Sequence, residues 1–134
     1  MTPEVKFYKE IKKNIRSILW NRVENLSLLG MPDLLGYNKK QQFFTVELKV
    51  VKGNKIKFSP HQIAWHKTHP ANTFIMVKTL DPSTLKTSSV SLFHGSCIMA
   101  LVRRGMKVAP VACGFRACAS TFDEVGLTLE NLGA

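Results

Sequence analysis

Gly30-Met31-Pro32-Asp33 opens the stretch that decides the reading of this chain; after thirteen intervening residues comes Glu47-Leu48-Lys49, and Ser59-Pro60-His61-Gln62 closes it. Phe44, Val46 and Leu48 alternate with Thr45, Glu47 and Lys49. This is the two-residue period of a strand with one face buried. It predicts a core of Phe44, Val46 and Leu48, with Glu47 and Lys49 side by side on the opposite face. Gly30 permits unusual backbone angles and Pro32 fixes its own, so Gly-x-Pro-Asp is a turn that delivers an acid. The polar residues from Gly36 to Lys40 separate two apolar runs and predict an antiparallel hairpin. Its arms, Asp33-Leu34-Leu35 and Phe43 to Lys49, bring Asp33 across from the Glu47/Lys49 face. Lys52 to Lys57 then form a basic turn around Gly53-Asn54. Ser59-Pro60-x-Gln62 has the form of a helix start, with Ser59 as N-cap, Pro60 in the first turn and Gln62 closing a capping box. A carboxylate and an ammonium at this spacing, joined by an Asp, suit a metal site with an adjacent cation. The plainer reading is a surface ion pair on an amphipathic strand.

Taken in order, Gly-x-Pro-Asp, a hairpin, Glu-x-Lys and a Ser-Pro-x-Gln helix start resemble the PD-(D/E)XK nuclease superfamily. They are most similar to its VRR-NUC branch of small, often phage-encoded nucleases. The motif region spans about a quarter of the chain, and the flanking element order is compatible. The resemblance implies an α/β fold with a restriction-endonuclease-like core, a mixed central sheet flanked by helices. It also implies metal-dependent hydrolysis of DNA phosphodiesters with Mg²⁺ or Mn²⁺. Asp33 and Glu47 are hard oxygen donors suited to such an ion, and the resemblance adds the Leu48 backbone carbonyl. It also places an acid early in the first helix, for which Glu4 is the candidate and Glu10 a weaker one. Lys49 would stabilise negative charge or position water, and Gln62 would orient water or phosphate.

The 134 residues read as one domain with a single core. No run reads as a signal peptide or a membrane span, and the expected location is the cytoplasm, a host's if the chain is phage-encoded. Cys97, Cys113 and Cys118 are an odd count without a CxxC pair, which suits a reducing cytoplasm with buried or idle thiols and argues against a disulfide framework. Cys113 and Cys118 as half a zinc site lack a second ligand pair. Lys and Arg outnumber Asp and Glu by 19 to 9, a formal charge of +10. Such a balance calls for a polyanionic partner, DNA or RNA first.

Thr2-Pro3-Glu4 predicts a helix start, with Phe7, Tyr8, Ile11, Ile15 and Ile18 on one side and Lys6, Lys9, Lys13 and Arg16 on the other. Lys9 and Lys13 are candidate phosphate contacts, as are Lys39, Lys40, Lys52, Lys55 and Lys57 in the turns flanking the hairpin. Ile18 to Glu24 predicts a first strand with Arg22 and Glu24 on one face. The helix opened by Ser59 is expected to end before Pro70, with His66 and His69 read as surface histidines. Phe74 to Lys78 predicts a central buried strand and Val90 to Phe93 the next one. A helix follows to Arg104, stopped by Gly105, then a short edge strand at 108–111 and a last helix capped near Thr121.

Three functions fit this pattern. The first is a structure-specific endonuclease of the four-way-junction type, acting as a homodimer because two-fold junctions need paired cuts. The Val90–Phe93 strand or the Cys97–Val102 helix would supply the dimer face. The second is a less selective nicking or end-processing nuclease. The third is a catalytically silent nucleic-acid-binding module.

Overall fold

The computed structural model describes residues 2–23, 30–108 and 121–133. Among these residues the α-helices and strands follow in the order α1 (Pro3–Asn14), β1 (Leu19–Arg22), β2 (Leu34–Tyr37), β3 (Phe43–Val51), α2 (Pro60–Thr68), β4 (Thr73–Leu80), β5 (Thr87–His94), α3 (Ile98–Arg104) and α4 (Phe122–Glu130). The strands form one mixed five-stranded sheet in sequential order. Only β3 and β4 run parallel, with α2 in their crossover; the other neighbours are antiparallel. The fold is therefore α/β, with helices on both faces of a mixed sheet.

The strand period sorts side chains onto those two faces. Phe44, Val46 and Leu48 of β3 join Phe74 and Met76 of β4 and Leu92 of β5 against Phe7 and Ile11 of α1 and Val125 and Leu129 of α4. The opposite face packs Ile75, Val77 and Phe93 against Ile98 and Leu101 of α3, with Ile56, Phe58 and Ile63 beside them. β4 lies between β3 and β5 and is buried on both faces from Thr73 to Lys78, which accounts for its unbroken apolar run.

Helix ends follow the local signals. Thr2 caps α1 by accepting the Val5 N–H, and Thr121 caps α4 by accepting the Glu124 N–H. α1 stops at Asn14 rather than running to Ile18, because β1 begins at Leu19 and the chain must turn. Ile15 and Ile18 still belong to the core, as the helical period expected. Glu10 leaves the helix toward Lys78 on β4 and forms an ion pair with it, so this acid is committed away from the Asp33 region. Val108 is buried but lies outside any strand; the rest of the expected edge strand, like Glu24, Cys113 and Cys118, lies outside the described residues.

Two expectations are corrected. His66 is 1 % exposed, not a surface residue, while His69 stacks on Trp65 with ring centroids 4.0 Å apart. Cys97 is buried and disulfide-bonded, which removes the support that idle thiols lent to a reducing compartment. In the strand and helix that could form a dimer face, Val90, Leu92, Phe93, Ile98 and Leu101 lie in the two cores, while Val102 is exposed. Among the described residues no helix is long and apolar enough to cross a membrane.

His66 carries a consequence for acid stability. Both ring nitrogens are buried without a hydrogen-bond partner among the described residues. Burial, then the nearby His69 and Lys49, hold its pKa down at about 4. Between that value and the ordinary 6.5 the unfolded chain binds a proton that the folded one refuses, so stability is lost as pH falls through this window. His66→Met is expected to remove this contribution, so that its stability relative to the parent rises as pH falls below 6.5, by roughly 3 kcal/mol at pH 4. Urea midpoints of both proteins from pH 4 to 7 check it, and parallel curves would refute the assignment.

Candidate active site

Asp33 stands one residue before β2, where pairing of Leu34 with Val46 sets it beside Glu47 on β3. Because β2 has not yet begun at this level, the Leu48 N–H lacks a strand partner. The Asp33 carboxylate takes that place, accepting the Leu48 N–H through Oδ2 at 2.8 Å. In an extended strand the N–H and C=O of one residue point to the same side, so the Leu48 carbonyl faces this same edge. The hairpin thus brings Asp33 beside Glu47, as the two-residue period predicted, with the Leu48 backbone next to them.

Alternation puts Glu47 and Lys49 on the face covered by α2. Glu47 is 2 % exposed, so the surface-pair reading does not hold. Gln62, in the first turn of α2, links the two. Its Oε1 accepts the Ser59 N–H at 3.0 Å, and the Ser59 hydroxyl in turn accepts the Gln62 N–H, a complete capping box. The same Oε1 accepts from Lys49 Nζ at 3.0 Å, and Gln62 Nε2 donates to Glu47 Oε2 at 3.1 Å. Because the cap fixes which end of the amide is oxygen, it also fixes that the NH₂ faces the carboxylate. Capping and site roles coincide in one side chain. Lys49 Nζ lies 3.9 Å from Glu47 Oε2 and 4.8 Å from the centre of the Phe58 ring.

The loop and the helix carrying these groups meet at Gly30. Its φ is +84°, and a Cβ there would lie 2.2 Å from the His61 carbonyl oxygen. Gly-x-Pro-Asp and Ser-Pro-x-Gln are therefore packed backbone to backbone.

Together they line a cleft of about 310 Å³ whose walls are Asp33, Glu47, Leu48, Lys49, Gln62, Arg22 and, from α1, Thr2, Glu4, Val5 and Tyr8. Glu4 is on this wall, half-buried, and its charge is felt at Glu47. Among the described residues no three Asp, Glu, His or Cys side chains converge closely enough to hold a metal by themselves. Tyr8 and Phe58 were not anticipated from sequence. Phe58 had a signal, since the residue before an N-cap often packs on the fourth helical residue, Ile63 in this chain.

Electrostatics set this cleft apart. Glu47 has its pKa raised to about 9, first by burial and then by the Asp33 charge, against the opposing pull of Lys49. Its Oε1 is buried with no hydrogen-bond partner among the described residues. Two adjacent carboxyls, one with an unpartnered oxygen, plus a backbone carbonyl, make an all-oxygen donor set that fits Mg²⁺ or Mn²⁺ rather than zinc.

The predicted phosphate contacts divide. Lys52, Lys55 and Lys57 are exposed on the segment leaving β3 just past Lys49. Lys39 and Lys40 lie at the other end of the hairpin from Asp33, and Lys40 Nζ reaches Asn131 at 3.4 Å. Lys9 and Lys13 are exposed on α1 but do not line the cleft. Compared with known proteins, the sequence matches no family model and no curated protein.

Proposed function

We propose that this chain is a metal-dependent DNA endonuclease built on a PD-(D/E)XK, restriction-endonuclease-like core. The observation that carries the reading is the buried, unpartnered Glu47 Oε1 beside Asp33, in a cleft that also holds Lys49 on a fixed amide. A structural ion pair would satisfy both carboxylate oxygens, as buried polar groups nearly always are. Asp33, Glu47 and the Leu48 carbonyl would hold the ion, with Glu4 the nearest further acid. When bound, a divalent cation supplies charge neutralisation at the scissile phosphate and a lowered pKa for water.

The chain's own groups account for the rest. Gln62 holds the Glu47 carboxyl and the Lys49 ammonium in fixed relation. The ammonium is poised to stabilise negative charge gathering on the phosphate, and needs no reorganisation to do so. Arg22, on the same wall, adds positive charge for the flanking backbone. A branched substrate, such as a four-way junction cut by a homodimer, is the narrower form of the proposal.

The test is cleavage of end-labelled four-way junction, flap, linear duplex and single strand with Mg²⁺ or Mn²⁺, comparing the parent with Asp33→Asn. The variant is expected to lose about 10³-fold or more in rate while its DNA affinity stays within a few-fold. Paired symmetrical cuts in the junction would support the resolvase form. Parent-like cleavage by Asp33→Asn would overturn the assignment, as would DNA binding without cleavage by either protein.

A further inference from the structure

Acidic residues are distributed unevenly along this chain. No Asp or Glu occurs between Leu48 and Leu80, or between Pro82 and Phe122. Those spans supply α2, α3 and the segment after β3, so the helical layer on that face of the sheet is free of carboxylates. The acids of α1 and α4, Glu4, Glu10, Asp123, Glu124 and Glu130, belong to the opposite layer.

On the acid-free layer lies a groove of about 480 Å³, separate from the candidate active site. Lys55, Arg103, Arg104 and Lys107 line it, over a floor that includes Ile56. All four cations are exposed, and none makes an ion pair or a side-chain hydrogen bond among the described residues. Favourable placement at a helix C-terminus explains Arg103 and Arg104 alone. It does not explain Lys55, which arrives from the segment after β3.

The groove is held in shape. The Met106 N–H donates to the Asn54 carbonyl at 2.7 Å, and Gly105, at φ +56°, sits so close that a Cβ would lie 1.9 Å from that oxygen. This pins the Asn54–Ile56 turn against the end of α3.

We infer that this groove is a second DNA-backbone site, gripping phosphates that flank the bond held at Asp33 and Glu47. The inference rests on the nuclease reading. Lys55 is six positions beyond Lys49, so their Cα atoms lie within about 22 Å of each other. At 3.4 Å per base pair that is about six base pairs, within the reach of one bound duplex. Phosphate is the chemistry recognised: four uncompensated cations on a shallow groove match a polyanion, and the apolar floor accommodates sugar faces.

Fluorescence anisotropy tests this with a labelled 30-base-pair duplex, in an Asp33→Asn background so that no strand is cut. Arg103→Gln/Arg104→Gln is compared with Lys67→Gln/Lys86→Gln, which removes equal charge elsewhere. The groove variant is expected to bind about ten-fold more weakly, with a log Kd against log salt slope smaller by about 2. The comparison variant should change affinity less than about two-fold. Equal effects of the two variants, or weaker binding with an unchanged salt slope, would overturn the groove while leaving the nuclease reading intact. Metal-dependent cleavage by the Asp33-containing protein tells that failure apart from failure of the nuclease reading. Absence of DNA binding by every form would overturn both.

Discussion

Glu47→Gln is expected to abolish cleavage and, at the same time, to stabilise the metal-free protein. A folded-state pKa near 9 means that between 4.5 and about 9 the folded protein retains a proton that the unfolded chain releases. Stability therefore falls as pH rises through this window, opposite in sign to an ordinary salt-bridged carboxylate. By pH 7 the accumulated cost is roughly 3 kcal/mol relative to pH below 4.5. Gln has no proton to lose. Its carbonyl can still accept from Gln62 Nε2, and its NH₂ can donate to Asp33 at any pH, with no proton to retain. The variant should melt several degrees higher than the parent at pH 7 with chelator present, and the gap should widen toward pH 9. Added Mg²⁺ or Mn²⁺ should raise the parent's melting temperature and leave the variant's unchanged. Cleavage by the variant should fall about 10³-fold or more. A variant less stable than the parent at pH 8 in chelator would contradict the buried, charge-crowded environment described for Glu47.

The crowding at Glu47 was only partly readable from the residues. The hairpin was legible because Phe44, Val46 and Leu48 keep a strict period of two, and a one-residue slip would expose all three. The capping box was legible because Ser59 and Gln62 stand three apart beside Pro60. Burial of Glu47 was not, because alternation assigns a face but does not say what covers it. That depends on α2 crossing back over β3, a contact between residues fifteen positions apart. His66 failed for the same reason: its Nδ1 lies against Gly95, twenty-nine positions along the chain. The lysines of the two hairpin ends looked alike as composition. Only the register of β2 on β3 shows that Lys39 and Lys40 are at the far end from Asp33.

Gly30→Ala is expected to damage both fold and site through one contact. The new methyl would meet the His61 carbonyl oxygen at 2.2 Å and lie within 3.0 Å of the Gln62 nitrogen, both backbone atoms that cannot swing aside. The φ of +84° adds strain for any residue with a Cβ. Relief requires the Gly30 turn and the first turn of α2 to separate. That movement carries Asp33 away on one side and Gln62 on the other. The expected cost is about 3 kcal/mol or more in stability. At temperatures where the variant remains folded, cleavage should fall by at least about ten-fold, since displaced groups lose their fixed geometry. Gly53→Ala is the matched comparison. Gly53 has no atom within 4 Å of an added Cβ and no positive φ, so its variant should lie within about 0.5 kcal/mol of the parent. Denaturant midpoints of the two variants decide the matter. If Gly30→Ala unfolds at the parent's midpoint, the two motifs are not joined as the geometry states. A variant with lowered stability but full activity when folded would show instead that the contact supports the fold without positioning Gln62.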